Sequence, residues 1–453
     1  MKEIVQNQNL FFDKNATKSI AFRKEQLKKL DRVLRDNEKA IYESIYMDFK
    51  KSKFDVFSTE LAMIYADISD ALANLNSWSK RKRVRTNLVN FPAKSYIYPE
   101  PLGTVLVIGA WNYPFLLSIA PAVAAIAAGN TVVIKPSEVP ARTSAVIADI
   151  INENFDASFF HVVEGGVDVT TELLAQKWDK IFFTGSTGVG KIVYQAAAKN
   201  LTPVTLELGG KSPAFVMKDA NLDVTVNRLV WGKFLNAGQT CIAPDYLLVE
   251  KSIKDELLKK LKARIVEMDF SFFNENYPQI INERNYQRLK SLIEDDKIYY
   301  AGEFNEEKRY FPPVLMNEVN FSDKVMEEEI FGPIFPVLSF ENLDDAIKEV
   351  KALPKPLACY VFTKDEGNKR KVLNELSFGG GAINDAVMHI ANPNMPFGGV
   401  GNSGMGSYHG KSGFDAFSHQ KSVLDKATWI DPYIRYNKVS DNKLKLFKFL
   451  FRV

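Results

Sequence analysis

Phe182 to Val193 reads FFTGSTGVGKIV, a glycine-rich stretch that ends on a lysine. Such a stretch can cradle phosphate, because glycines let backbone N–H groups close around the anion while the lysine supplies charge. Gly185, Gly190 and Lys191 keep the G-x-x-x-x-G-K spacing of a triphosphate loop, but Ile192 stands where Ser or Thr would hold magnesium. The dinucleotide pattern G-x-G-x-x-G fails too, since Gly185, Gly188 and Gly190 are spaced three and two apart. WDKIFF before the loop reads as a strand, and VYQAAAKN after it reads as a helix start whose N-terminus favours anions. On its own the stretch is either a phosphate contact or an ordinary strand-turn-helix connection.

Four further side chains have types suited to chemistry. Cys241, in GQTCIAPDY, is one of two cysteines, and alone it is either an inert buried side chain or a nucleophile. Cys359, in PLACYVFT, has apolar neighbours on both sides and is assigned to the core. Asn112, in GAWNYP, has the place of an Asx turn before Pro114. Glu207 closes VTLE ahead of Leu208 and two glycines, as a solvated charge or a helix cap would. The four histidines, 161, 389, 409 and 419, lack metal-ligand spacing, so no metal site is expected.

The elements that must carry these residues follow from composition and periodicity. A chain of 453 residues, 46% hydrophobic and 25% charged, is expected to fold as two or three units with sizeable cores. Its formal charge of +3 gives no general case for nucleic acid or membrane. Two cysteines and no apolar leader after Met1 point to a reducing compartment, the cytoplasm. FLLSIAPAVAAIAAG is shorter than the roughly 20 residues of a membrane span and holds Pro121, so it reads as a buried helix. From Thr17 to Trp78 apolar residues such as Leu27, Leu30 and Leu34 recur three or four apart among many charges, which predicts solvent-facing helix. KRKRVRTNLVNFPAKSYIYPEP then reads as an extended arm rather than a nucleic-acid patch, since few aromatic residues interleave its charges.

GTVLVIGAW, NTVVIKPS, FFHVVEG, KIFFTG and PVTLELGG alternate with helical stretches, so Gly103 to Leu208 is expected to be a doubly wound parallel sheet. Ligands sit at the carboxyl ends of such strands. That rule selects Trp111-Asn112, Lys135-Pro136-Ser137-Glu138, Gly185-Ser186 and Glu207. A second α/β run extends from Pro213 to Asp385, and the tail from Pro396 carries PFGGVGNSGMGSYHG and ends in KLKLFKFLFRV.

Taken together, VTLELGGKSP, GQTCIAPDY, AWNYP, IKPSE, FTGST, EEIFGP and PFGGVGNSGMG resemble the NAD(P)-dependent aldehyde dehydrogenases from about Phe22 to Asp431. The short amino end, AWNYPF and CIAPDY are similar to the class 3 branch, which acts on aliphatic and aromatic aldehydes. The resemblance implies the α/β aldehyde dehydrogenase fold. Residues 1–79 and 100–206 would form a Rossmann-like doubly wound cofactor domain, 207–395 an α/β catalytic domain, 80–99 and 396–430 a bridging and oligomerisation region, and 431–453 a C-terminal tail. It further implies a homodimer that oxidises aldehydes to carboxylic acids with NAD, or with NADP as well.

By the same resemblance Cys241 is the nucleophile, forming a thiohemiacetal whose hydride leaves to the nicotinamide and then a thioester that water splits. An ordinary thiol, with a pKa near 8.5, would already be a few per cent thiolate at neutral pH. The Asn112 amide and the Cys241 backbone N–H would form the oxyanion hole, and Glu207 would be the general base. Lys135 and Glu138, with Ser137 between them, would reach the adenosine ribose, where a carboxylate favours NAD over NADP. Gly185, Ser186 and Gly188 would turn beside the pyrophosphate, and Glu329 and Phe331 would hold the nicotinamide end. The tail is about half of a membrane span. Packing on the body or a partner subunit is expected of it, ahead of a place on an anionic membrane surface. The competing readings are a CoA-acylating reductase, which needs no water-activating Glu207, a non-catalytic binding protein, and a triphosphate-loop ATPase.

Overall fold

The computed structural model describes residues 1–271, 273–431, 436, 438 and 440–451. Its six-stranded sheet runs Gly404–Met405, Val204–Glu207, Lys180–Thr184, Thr104–Ile108, Thr131–Lys135, Phe160–Val162. The last five strands are parallel and Gly404–Met405 is antiparallel at the edge. β-branched and aromatic residues fill both faces because helices cover both, as a parallel sheet requires. In chain order the strands step one way from Thr104–Ile108 to Phe160–Val162, then return to the other side with Lys180–Thr184 and Val204–Glu207. The reversal opens a crevice beyond Ile108 and Thr184, where ligands of doubly wound sheets sit.

The seven-stranded sheet runs Ile298–Ala301, Val314–Met316, Ile334–Phe340, Tyr246–Glu250, Pro213–Val216, Ala358–Phe362, Gly380–Ile383, parallel except for its first pair. The expected arm forms strands Lys82–Val84 and Ala93–Pro101, and Ser418–Lys426 lies antiparallel on the latter. Within 396–430 only that last strand joins the arm. Gly404–Met405 belongs to the six-stranded sheet.

Two expectations are corrected. The amino-terminal helices Ile20–Asp36, Glu38–Phe49 and Ala62–Trp78 are not simply solvent-facing: Leu27, Leu30, Leu34, Ile41, Ile45 and Ile64 are fully buried. Apolar residues three and four apart make a stripe, and a stripe of this width packs on a core while the charges face out. The second correction concerns the glycine loop. Its helix spans Thr187–Ala198 and so begins inside the glycines, with Ser186 as N-cap accepting from the Val189 N–H at 3.4 Å. Gly188, Gly190 and exposed Lys191 therefore lie in its first turns rather than in a phosphate-wrapping loop.

Helix Pro114–Ala128 starts on a proline, which suits a position whose N–H would be unpaired, and ends at Gly129 with φ 97°. All but one of its residues are buried. Among the described residues no helix is long and apolar enough to cross a membrane. The tail forms helix Asp441–Phe451 beside the Leu88–Asn90 turn, with Leu444, Leu446, Phe449 and Phe451 exposed.

Candidate active site

The strand Thr104–Ile108 delivers Gly109 to Asn112 into the crevice, and the Gly109 N–H is held by the Lys135 carbonyl at 3.0 Å. Asn112 is buried, and its amide reaches toward the cysteine turn rather than closing a local Asx turn. Its Nδ2 donates to the Gln239 carbonyl at 3.0 Å, two residues before Cys241. Asn236 Nδ2 donates to the carbonyls of Asn112 at 3.0 Å and Gln239 at 3.2 Å. Gln239 is fixed in turn, donating to the Gln279 carbonyl at 3.1 Å and accepting from the Ile281 N–H at 3.0 Å. Asn236, Ala237 and Gly238 have φ of 55°, 51° and 72°. Two non-glycine residues in this left-handed region carry strain, which persists only where the surroundings enforce it. This anchored turn presents Cys241 on its far side, half-buried and therefore reachable.

Carboxylates set the character of the thiol. Glu207, at the end of Val204–Glu207, is buried, and among the described residues neither of its carboxyl oxygens has a protein hydrogen-bond partner. Desolvation pushes its carboxyl well above the ordinary range. Glu329 lies against Gly209, and its carboxyl is raised to about 8 by desolvation and by Asp245, against the pull of the Gly210 N–H, Lys211 and Arg288. The Cys241 thiol is pushed up to about 12, first by desolvation and then by Glu329 and Glu207. An ordinary thiol acidity was expected, and it does not hold: the neighbouring carboxylates and the apolar surroundings disfavour the thiolate. Cys359 sits in strand Ala358–Phe362, buried as expected, and desolvation raises its thiol further still. Shifted groups gathered around a half-buried thiol make these residues candidates for a reactive site.

Glu329 and Phe331 come from one loop. The Ile330 N–H donates to Asp245 at 3.1 Å, and Arg288 donates to the Ile330 carbonyl at 2.6 Å. Lys211, itself buried, donates to Asp245 at 2.7 Å, to the Val325 carbonyl at 2.8 Å and to the Glu328 carbonyl at 2.9 Å. Phe331 has φ 48°, and its ring meets Trp111 edge-on at 5.2 Å. Lys211, Asp245 and Arg288 escaped the sequence reading. Lys211 and Asp245 do lie inside LELGGKSP and CIAPDY, and a buried lysine facing a buried aspartate was the signal to seek.

The residues selected for the adenosine and pyrophosphate ends of a cofactor follow strands Thr131–Lys135 and Lys180–Thr184, which flank Thr104–Ile108. Lys135 is buried and donates to Glu138 at 2.7 Å and to the Gly165 carbonyl at 3.0 Å. Desolvation raises the half-exposed Glu138 carboxyl, but hydrogen bonds from Lys135 and the backbone outweigh it, so the net shift is downward. Ser137 is buried and accepts from the Val139 N–H at 3.3 Å. At Gly188 a side chain would meet nothing within 4 Å, leaving open space above the first turn of helix Thr187–Ala198. An open helix N-terminus suits a pyrophosphate, and a carboxylate-lysine pair beyond a strand of the same sheet suits ribose hydroxyls, so these residues fit a dinucleotide.

The aldehyde dehydrogenase family model matches residues 1–423. The chain is 49% identical over 429 residues, 93% of each protein, to the 4,4'-diaponeurosporen-aldehyde dehydrogenase of Staphylococcus aureus. It is 44% identical, over 92% of each protein, to the dimeric NADP-preferring aldehyde dehydrogenase of Rattus norvegicus. A solved structure described as the substrate-bound state of Staphylococcus aureus AldH superposes with a TM-score of 0.97 at 46% identity, covering 99% of both chains. The reach of these likenesses, set beside a crevice that joins a half-buried cysteine to a dinucleotide-shaped strand end, shows that the chain belongs to the aldehyde dehydrogenase family, NAD(P)-dependent enzymes that oxidise aldehydes to carboxylic acids.

Proposed function

We propose that the oxidation runs through a covalent intermediate on Cys241. The supporting observation is the hydrogen bond from the Asn112 amide to the Gln239 carbonyl, which ties a donor to the turn that presents a reachable thiol. As the sulfur adds to the aldehyde carbon, a carboxylate takes the thiol proton and the carbonyl oxygen gains the negative charge. Asn112 and the Cys241 N–H stabilise that oxygen; losing one such donor costs about 10²–10³ in rate. NAD(P)⁺, when bound, supplies the acceptor for the hydride that leaves the thiohemiacetal carbon. Once the thiol proton has passed to solvent, Glu207 removes a proton from water, which adds to the thioester; the C–S bond breaks, the acid leaves and Glu207 returns that proton to the sulfur.

A high thiol pKa is compatible with this sequence. The thiol is neutral before attack, and its proton moves in the same step to an acceptor whose own affinity for protons is raised. A second reading makes Glu329 the base, favoured by its larger effect on the Cys241 thiol. Glu207→Gln and Glu329→Gln separate the two: the variant that accumulates acyl-enzyme after a burst of NAD(P)H has lost the base. Cys241→Ala is expected to abolish NAD(P)H formation while Cys359→Ala leaves it nearly intact, and activity that survives the first change sinks the reading. Acid formed without coenzyme A excludes the acyl-transferring alternative.

We infer NAD as the better cofactor with NADP accepted, because the Glu138 carboxylate would face a 2′-phosphate while keeping an exposed edge that lets the phosphate turn to water. Kinetics with each cofactor test this. The same reading takes the Ala93–Pro101 and Ser418–Lys426 pair as the seam of a homodimer, supported by the word dimeric in the name of the rat relative.

A further inference from the structure

Helix Pro114–Ala128 begins immediately after Asn112 and Tyr113, and its start has no local cap: Tyr113 makes no side-chain hydrogen bond to it, and Pro114 has no N–H. A helix start leaves donors unpaired unless something remote accepts from them. Glu60 does so, its Oε2 accepting from the N–H groups of Phe115 at 2.9 Å and Leu116 at 3.3 Å. It reaches them from a π-helical turn, Phe57–Leu61, a distortion that tends to be kept at functional places. Glu60 is fully buried, and its other oxygen is held by buried Lys51 at 3.1 Å.

Lys51 continues the chain of contacts. Its Nζ stands 4.2 Å from the centre of the Tyr113 ring, and the Tyr113 hydroxyl shares a 2.6 Å hydrogen bond with Thr240, the neighbour of Cys241. One buried ion pair thus holds the donor side of the crevice through Glu60 and leans on the cysteine side through Lys51, Tyr113 and Thr240. A charge fixed at a helix start with its dipole is directional, so it sets where that start lies as well as stabilising it.

We propose that Glu60, paired with Lys51, is a positioning residue that sets the Asn112 amide against Cys241, an inference that rests on the oxyanion role proposed for Asn112. Glu60 acts through the Phe115 and Leu116 N–H groups and touches no reacting atom. Replacing its charge lets the first turn of the helix drift, and displacements near an ångström at a reacting centre cost up to about 100-fold in rate.

The test is a double-mutant cycle on the full chain with NAD(P) and a simple aldehyde. Asn112→Ala is expected to lower kcat about 10²–10³-fold. Glu60→Gln is expected to lower kcat about 10–100-fold, with the KM values for aldehyde and cofactor changed less than about threefold. With Asn112 already removed, Glu60→Gln should add less than about threefold, because the group it positions is gone. An equal loss in both backgrounds would show a merely structural role and overturn the inference while leaving the Asn112 role intact. An inert Asn112→Ala overturns both. If Glu60→Gln does not fold, Glu60→Asp keeps the charge and carries the same coupling with a smaller loss; an unchanged kcat in that variant, or a loss independent of Asn112, counts against the proposal.

Discussion

The Glu329 carboxylate packs over Gly209 so closely that a Cβ added there would stand 1.9 Å from Oε2. Glycine is needed at this place for room. Gly209→Ala should push Glu329 aside and raise the KM for NAD(P) about tenfold, as small displacements at a binding group do. Steady-state kinetics with varied cofactor would show it, and an unchanged KM would mean that Glu329 is not where the cofactor is held.

Alkylation offers a direct reading of the thiol. In protein without cofactor, Cys241 should react slowly with iodoacetamide at pH 7 and about tenfold faster per pH unit up to pH 10, because only the thiolate reacts. Glu329→Gln should leave the rate at pH 7 little changed and raise it above about pH 8, where the native carboxyl is ionised. Cys359 should stay unmodified until the protein unfolds. Mass spectrometry of the two peptides distinguishes them, and a rate that levels off near pH 8 would contradict the high thiol pKa.

Stability should also report Glu329. Its carboxyl titrates near 8 when folded against an ordinary 4.5, so the native state holds the extra proton between those values. The contribution is fully present below about pH 4.5 and is lost as pH rises through 8, where the buried group must ionise. Glu329→Gln should therefore gain stability over the parent as pH rises from 5 to 9. Urea midpoints at the two pH values measure this, and a constant difference would refute it.

Lys211 and Asp245 form a buried pair beneath the loop that carries Glu329. Removing one member of such a pair leaves the other charged and dry, at a cost of about 3 kcal/mol or more. Lys211→Met should lower denaturant stability by that amount and weaken cofactor binding. Lys233, whose amine is 3.9 Å from Asp245 and lowered to about 8 by desolvation, is too poorly placed to substitute fully. A loss below about 0.5 kcal/mol would show the pair to be dispensable.

Much of the fold was legible because short β-branched runs such as TVLVI and TVVIK, bounded by Gly, Asn and Pro, favour strands covered on both faces, and because ligands of such sheets sit at the strands' carboxyl ends. That rule selected Asn112, Lys135, Gly185 and Glu207, and the structure has each of them at or just beyond the carboxyl end of a strand of the six-stranded sheet. The start of helix Thr187–Ala198 was missed because three glycines outweighed Ser186, although a serine ahead of a helix is itself a cap signal. The acidity of Cys241 was out of reach in principle: it depends first on burial and then on Glu329 and Glu207, all of which only the folded chain brings to it. Lys51 and Glu60 were hidden for a similar reason, since nothing in KSKFDVFSTEL announces a π-helical turn or the distant helix it serves.

Glu207 is a buried acid whose oxygens have no protein partner among the described residues, an arrangement that natural selection for durability alone would remove. Directed evolution of this chain for heat tolerance, with no requirement for turnover, should therefore discard that acid early, in favour of leucine, methionine or glutamine. The hardiest survivors would be inert proteins, and the gap between their melting points and the parent's would measure how much fragility the enzyme carries in order to work.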